Sequence, residues 1–177
     1  MTITDPVLAL VKAFHDRGVR FVGIGVWSAN LYGHDTGTLF GTEDCDLFLP
    51  LDPANELEAW TAARTAGFAL EAAGEPLGEP LDRLLAERVI ERRALVSAIS
   101  PDRYRVDLSL VMSGYTFDEA WASRREFELE GTSIPAAALE HIVRSKALAG
   151  RPKDRLFLAT HAEALRRATG HDLEPDE

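Results

Sequence analysis

The chain has 177 residues, which fits one domain or one domain with a small helical extension. Hydrophobic residues make up 46% and charged residues 27%, the composition of a globular protein rather than a disordered one. The net charge of -10 disfavours a general DNA or RNA binder, because an acidic surface does not attract a phosphate backbone over long range.

The first third of the chain alternates helical and strand patterns. Asp5 followed by Pro6 is typical of a helix start, with a capping side chain and a proline in the first turn. Short apolar, β-branched runs then indicate buried strands. The predicted elements are a helix from Pro6 to Gly18, a strand over Val19–Ile24, a turn at Gly25, a short helix in VWSANLY closed by Gly33, a strand over Asp44–Leu49 and a helix over Asn55–Thr65.

The rest of the chain moves from mixed elements to paired helices. The two Gly-Glu-Pro triplets in EAAGEPLGEP predict turns in an exposed loop, and ALVSAIS and YRVDLSLV flank a Ser-Pro-Asp-Arg turn as in a hairpin. The acidic tail HDLEPDE is expected to be frayed. The other predicted elements are a helix from Leu81 to about Arg92, a short helix over Phe117–Arg124, a strand in EFELEG, a helix opened by Pro135 and running to about Leu148, and a helix from Pro152 to Ala168.

Three aspartates are the chemically informative residues. Asp44 and Asp46 are two apart on a predicted strand, so their carboxylates share a face while Cys45 points the opposite way. Asp107 interrupts an otherwise apolar strand, where an unpaired carboxylate is costly to bury. If the two strands are neighbours, the three carboxylates could hold a pair of divalent metal ions. Oxygen ligands of this kind suit Mg2+ or Mn2+ rather than zinc.

A purely structural interpretation of these aspartates stays open. Asp44 is also compatible with a turn residue at the start of a strand, and Asp107 with an ion pair to Arg105 or Arg103.

Two segments carry a resemblance to a known family. FVGIGVWSANLYG followed by TEDCDLFL resembles the first motif of the nucleotidyltransferase superfamily, which has the DNA polymerase beta-like fold. WSANLYG looks like the small bacterial members related to AbiEii-type toxin nucleotidyltransferases. SIPAAALEHIVRSKALAGRPKD is similar to the C-terminal signature of the same group. The resemblance runs, with gaps, from Phe21 to Leu165.

The resemblance implies an α/β (α+β) fold, with a mixed β-sheet flanked by helices and a C-terminal helical pair. The order of elements, with mixed strands first and paired helices last, predicts an α/β core in residues 1–132 and a helical extension packed on that core in residues 133–177, with a single domain as the alternative.

By the same resemblance, Gly25 and the backbone after it, including Val26, cradle a triphosphate at a helix N-terminus. The three aspartates bind the metal ions, and Asp107 also assists deprotonation of the acceptor hydroxyl. Ser28 adds a hydroxyl donor, or is simply a solvated or back-bonded helix serine. Lys146 lies near the nucleotide phosphates, or extends past the apolar stripe of its helix to solvent.

Two positions depart from the family pattern. Val26 stands where a second small residue is usual, and Phe40 stands where many relatives carry an arginine.

The expected activity is transfer of a nucleoside monophosphate from an NTP to a hydroxyl of a protein side chain, an RNA end or a small molecule. The alternative is a catalytically inert protein that binds a protein partner, for example in a toxin–antitoxin pair.

The remaining expectations concern location. No stretch approaches the roughly 20 apolar residues that span a bilayer, and the first ten residues lack the basic segment of a secretion signal. The single cysteine, Cys45, is compatible with a reducing cytoplasm. We therefore expect a cytoplasmic protein without membrane contact.

Overall fold

The structure, a computed structural model, describes residues 5–170. The helices in this part of the chain are α1 (Pro6–Asp16), α2 (Gly25–Ala29), α3 (Gly33–Thr36), α4 (Pro53–Thr65), α5 (Arg83–Arg92), α6 (Phe117–Ala122), α7 (Leu139–Ala149) and α8 (Pro152–Thr169), with a 3-10 turn (Asn30–Tyr32) between α2 and α3. The strands are β1 (Val22–Ile24), β2 (Asp44–Phe48), β3 (Ala69–Ala72), β4 (Glu75–Pro76), β5 (Val96–Ile99), β6 (Arg105–Ser109), β7 (Arg125–Leu129) and β8 (Thr132–Ala136).

All eight of these strands form one mixed sheet, in the order β4-β3-β5-β6-β2-β1-β8-β7. Strand β2 lies at the centre, antiparallel to β1 and parallel to β6. Parallel neighbours need a long crossover, and the chain supplies it with α4, the β3–β4 hairpin, α5 and β5. This crossover brings two distant segments of the sequence side by side.

The sheet separates two apolar cores. Cys45 and Leu47 of β2 point into the first core, which contains Phe14 of α1 and Trp60 of α4. Phe48 belongs to the second core, together with residues of α6, α7 and α8. Because side chains alternate along a strand, Asp44 and Asp46 share the Phe48 face of β2. The orientation that we predicted for Cys45, opposite to the two aspartates, is confirmed.

Most predicted elements are present with shifted ends. The hairpin around Ser-Pro-Asp-Arg is confirmed, since β5 and β6 pair antiparallel with Val96 opposite Leu108. Past the VWSANLY segment, helical structure continues beyond Gly33 to the end of α3. Helix α5 begins at Arg83, where the Asp82 side chain accepts a hydrogen bond from the Leu85 N–H.

Two predictions were wrong because sheet pairing overrides local signals. The exposed loop predicted in EAAGEPLGEP contains most of the β3–β4 hairpin, in which Ala72 pairs with Glu75. Pro135 does not open a helix but lies in β8, and α7 begins only at Leu139. Pairing of β8 with β1 is short, with Gly23 opposite Ala136, and the bond to Gly23 O comes from the Ala137 N–H. The missing N–H of Pro135 therefore leaves this bond intact.

The predicted boundary between residues 132 and 133 falls inside β8, which pairs with both β1 and β7. The division into two domains stays a prediction. The frayed tail that we expect concerns residues 171–177, which lie outside the described residues. Within residues 5–170, none of the helices is both long enough and apolar enough to cross a membrane.

Candidate functional site

The parallel pairing of β2 with β6 brings the three predicted aspartates together. Asp46 lies directly beside Asp107 in the register of the two strands, and Asp44 lies beside Arg105. Asp107 is on the same face because its strand neighbours Val106 and Leu108 both point into the first core. The three carboxylates thus share one face at the centre of the sheet.

Asp107 is held by two side chains of its own hairpin. Its Oδ1 accepts hydrogen bonds from Ser97 Oγ at 2.6 Å and from Arg105 Nε at 2.7 Å. The ion pair with Arg105, one of the alternatives left open by the sequence, is therefore present. Sequence analysis missed Ser97, although the hairpin register places it directly opposite Asp107.

Gly25 sits at the start of α2, directly against the carboxylates. Its φ of +73° lies in the left-handed region that side chains disfavour. A Cβ at this position would lie 2.6 Å from Asp46 Oδ2, well inside van der Waals contact. Any other residue here would strain this turn and push the Asp46 carboxylate away.

The carboxylates open into a cleft of about 1050 Å³. Its lining includes the residues Ile24, Gly25 and Val26 and the loop Gly41–Glu43. Helix α7 and the segment at the start of α8 also line it, and they contribute the basic residues Lys146, Arg151 and Lys153. The cleft thus contains both carboxylates and cationic side chains.

A buried carboxylate fixes two of these cations. Asp154 is 1% exposed, and its Oδ1 accepts a hydrogen bond from Lys146 Nζ at 3.1 Å. Its Oδ2 accepts one from Arg151 Nε at 2.6 Å. Burial alone would raise the pKa of Asp154, but the bonds from Arg151 and Lys146 hold this pKa below its ordinary value. The Lys146 side chain is only 12% exposed, so it faces the cleft rather than bulk solvent.

The charge of the aspartates is only partly compensated. Burial, and then the negative charges of Asp44 and Asp107, raise the pKa of Asp46 to about 6. Lys146 and Lys153 act in the opposite direction. A site that penalises its own carboxylates in this way favours binding of a cation.

No family model and no curated protein matches the sequence. Solved structures do match. The lincomycin-bound lincosamide antibiotic adenylyltransferase LnuA is 13% identical with a TM-score of 0.58, over 96% of this chain and 100% of that chain. The antibiotic-resistance factor ANT(2'')-Ia is 17% identical with a TM-score of 0.57, over 93% of this chain and 81% of that chain.

A third structure, an antigenic nucleotidyltransferase-like protein from Paracoccidioides brasiliensis, is 16% identical with a TM-score of 0.55, over 92% of this chain and 72% of that chain. The chain has the nucleotidyltransferase fold. The fold expected from the sequence is thereby confirmed, while the narrower likeness to AbiEii-type members stays a prediction.

Ser28, a predicted phosphate donor, and Phe40, which stands where many relatives carry an arginine, do not line the cleft. Ser28 is fully buried, and its Oγ has no hydrogen-bond partner among residues 5–170. A Cβ at position 23 would lie 2.5 Å from this Oγ, so Ser28 packs over Gly23 rather than reaching a ligand. Phe40 is buried against Phe157 and His161, with ring centroids 5.1 and 4.7 Å apart, and it fills the second core. We therefore leave Ser28 out of the proposed site.

The donor set of this nucleotidyltransferase fold fits a divalent cation in its chemistry, since all three side chains offer carboxylate oxygens. As they stand, residues 5–170 contain no group of three or more His, Cys, Asp or Glu side chains arranged to hold a metal ion. Asp44 and Asp46 share a strand face, whereas Oδ1 of Asp107 is engaged by Arg105 and Ser97. The residues therefore fit a cation best if the contact between Arg105 and Asp107 changes.

Proposed function

We propose that the protein is a nucleotidyltransferase that moves a nucleoside monophosphate from an NTP to a hydroxyl acceptor, with Mg2+ or Mn2+ as its metal. One observation carries this proposal: the register of β2 and β6 sets Asp46 beside Asp107, with Asp44 on the same face of β2. The fold and the basic side chains that line the same cleft support it.

The proposed roles follow from position. Asp44, Asp46 and Asp107 would hold the cation, which when bound neutralises phosphate charge and lowers the barrier for the hydroxyl nucleophile. Lys146 and the backbone at Gly25 and Val26 would contact the phosphates across the cleft.

Asp107 has a second proposed role. Its Oδ1 accepts a hydrogen bond from Ser97, so Oδ2 would accept the proton of the acceptor hydroxyl. Positioning and charge neutralisation account for most of the catalysis in such transfers, so this small set of residues is sufficient.

The acceptor is a hydroxyl of a small molecule, of a protein side chain or of an RNA end. A cleft of about 1050 Å³ is slightly larger than the roughly 300–1000 Å³ that is typical of ligand pockets, which leaves room for a small acceptor beside a nucleotide. The structural neighbours LnuA, bound to lincomycin, and ANT(2'')-Ia, bound to adenylyl-2''-tobramycin, have small-molecule ligands. We therefore place the small molecule first.

The experiment is a transfer assay with each of the four NTPs labelled at the α-phosphate, in Mg2+ or Mn2+, with a pool of candidate acceptors. We expect metal-dependent release of pyrophosphate and transfer of label with one NTP. The Asp46→Asn variant should lose at least 100-fold in rate, because the carboxylate is replaced by a neutral amide. Equal rates in the wild type and in this variant would contradict the proposal.

A catalytically inert protein that binds a protein partner, for example in a toxin–antitoxin pair, is the second candidate. One observation favours it: Arg105 already neutralises Asp107, the carboxylate that a metal would need. Nucleotide binding without turnover, or no nucleotide binding at all, would support this candidate.

A further inference from the structure

Arg105 lies where a cation is expected at the carboxylate site. It precedes Asp107 by two residues on β6, so both side chains are on the same face, and in the strand register it lies beside Asp44. Its Nε donates to Asp107 Oδ1 at 2.7 Å. Its guanidinium therefore places positive charge beside the aspartate cluster.

The two partners of this ion pair differ in their freedom to move. The Asp107 side chain is 10% exposed and also accepts the hydrogen bond from Ser97, so it is fixed. The Arg105 side chain is 50% exposed and lines the cleft. Because the Arg105 guanidinium is half exposed to water, it can leave Asp107 when another cation takes its place there.

Charge balance explains why the arginine is there. Three adjacent carboxylates repel one another unless a cation lies among them. Lys146 is directed to Asp154 by its hydrogen bond, which leaves Arg105 as the cation in direct contact with the cluster among the described residues. The same positive charge must oppose a divalent ion that approaches these oxygens.

We propose that Arg105 is the internal counter-ion of the carboxylate site: it balances Asp107 when no metal is bound and competes with the divalent cation, so that metal binding releases its contact with Asp107. This inference rests on the proposed function, because it assumes that the aspartates bind metal. It assigns to Arg105 a positioning role that sets metal affinity.

The experiment is a titration of the full chain with Mn2+ alone, followed by electron paramagnetic resonance of the free ion, on the wild type, Arg105→Gln and Arg105→Lys. Removal of one positive charge about 6 Å from a divalent ion in a largely aqueous cleft should tighten Mn2+ binding about tenfold. Arg105→Lys keeps the charge, so its affinity should stay within about twofold of the wild type. Equal or weaker Mn2+ binding by Arg105→Gln would overturn the inference.

Arg83→Gln is the matched control. Arg83 also donates through Nε to a carboxylate oxygen at 2.7 Å, on Glu87, but it lies on α5 outside the cleft lining. Its loss should leave Mn2+ affinity unchanged. A tenfold gain in this variant as well would mean that net charge alone sets the affinity, and that result would also overturn the role of Arg105.

A second readout separates this inference from the proposed function. Metal-free Arg105→Gln should melt at a lower temperature than the wild type, because the carboxylate repulsion is no longer balanced, and saturating Mn2+ should restore most of the difference. If the wild type transfers nucleotide but Arg105→Gln shows neither change, only the inference fails. If neither protein binds Mn2+, the metal site and the inference fail together.

Discussion

Glu56 offers the sharpest test of the energetics of the fold. Its side chain is 0% exposed in α4, Oε1 accepts a hydrogen bond from Trp60 Nε1 at 3.0 Å, and Oε2 has no hydrogen-bond partner within residues 5–170. Burial raises the pKa of Glu56 from 4.5 to about 7, although the Trp60 bond acts in the opposite direction. The folded protein therefore prefers the protonated side chain.

The sign of the pH dependence follows from linkage. Between pH 4.5 and 7 the unfolded chain has lost the Glu56 proton while the folded chain retains it, so this group lowers the free energy of unfolding as pH rises. The contribution is fully present below pH 4.5 and is lost above 7. At about 1.4 kcal/mol per unit of pKa difference, the whole effect is about 3 kcal/mol.

The variant Glu56→Gln keeps the shape of the side chain and an oxygen acceptor for Trp60, but it does not ionise. Because the sequence pI is near 5.0, where solubility is lowest, we would measure urea unfolding between pH 5.5 and 8.5. Over that range the stability of the variant relative to the wild type should rise by about 2 kcal/mol, whatever its constant offset.

The control is Glu58→Gln on the same helix. Glu58 is half exposed and pairs with Arg17, so its stability difference should stay below about 1 kcal/mol across the range. A difference between Glu56→Gln and wild type that does not change with pH would refute the reasoning, because it would mean that Glu56 is charged in the folded state.

Three further predictions concern the site. Gly25→Ala should weaken Mn2+ binding at least tenfold, because the added Cβ clashes with the Asp46 carboxylate. The control is Gly67→Ala, which has φ +88° and nothing within 4 Å of an added Cβ, so it should show only the backbone strain of about 1–2 kcal/mol. Equal Mn2+ affinities in the two variants would contradict this prediction. Asp154→Asn should lower the nucleotide affinity measured by calorimetry about tenfold, because Lys146 and Arg151 lose the carboxylate that both of them donate to. An unchanged affinity would show that this carboxylate is not needed to position the two cations. Burial and the neighbouring charges raise the pKa of Asp46 to about 6, so protons compete with Mn2+ below that pH. Mn2+ affinity should therefore increase up to about tenfold for each unit that pH rises towards 6, and it should stay constant above 6. An affinity that does not change between pH 5 and 8 would count against a role for Asp46.

The carboxylate pattern could be predicted because it depends on local geometry. The period of two on a strand fixes the relation of Asp44 to Asp46 whatever the rest of the fold does. That Asp107 lies beside Asp46 could be predicted only if the two strands were assumed to be neighbours. Parallel pairing of strands that are some 60 residues apart is not encoded in either strand alone. The resemblance to nucleotidyltransferases implied that the three aspartates belong to one site, and the register of β2 and β6 sets Asp107 beside Asp46. Their role as metal ligands stays a prediction.

What could not be predicted depends on neighbours from elsewhere in the chain. Ser28 has the spacing of a helix residue that faces a ligand, but Gly23 leaves a space beneath α2 that its side chain fills. Pro135 reads locally as a helix start, yet β8 tolerates it because the pairing with β1 is short. The sequence left open whether Asp107 pairs with Arg105 or with Arg103, and the distance of 2.7 Å from Arg105 Nε to Asp107 Oδ1 decides for Arg105.

We propose that the cleft binds a nucleotide through a metal held by the aspartates, and calorimetry can measure this binding. ATP, GTP, CTP and UTP, each with Mg2+, would be titrated into the wild type and into the double variant Asp44→Asn/Asp46→Asn. We expect micromolar binding of one nucleotide that requires Mg2+ and disappears in the double variant. No heat with any of the four, from wild-type protein whose circular dichroism shows it folded, would rule out this binding and favour a protein that acts by binding a partner.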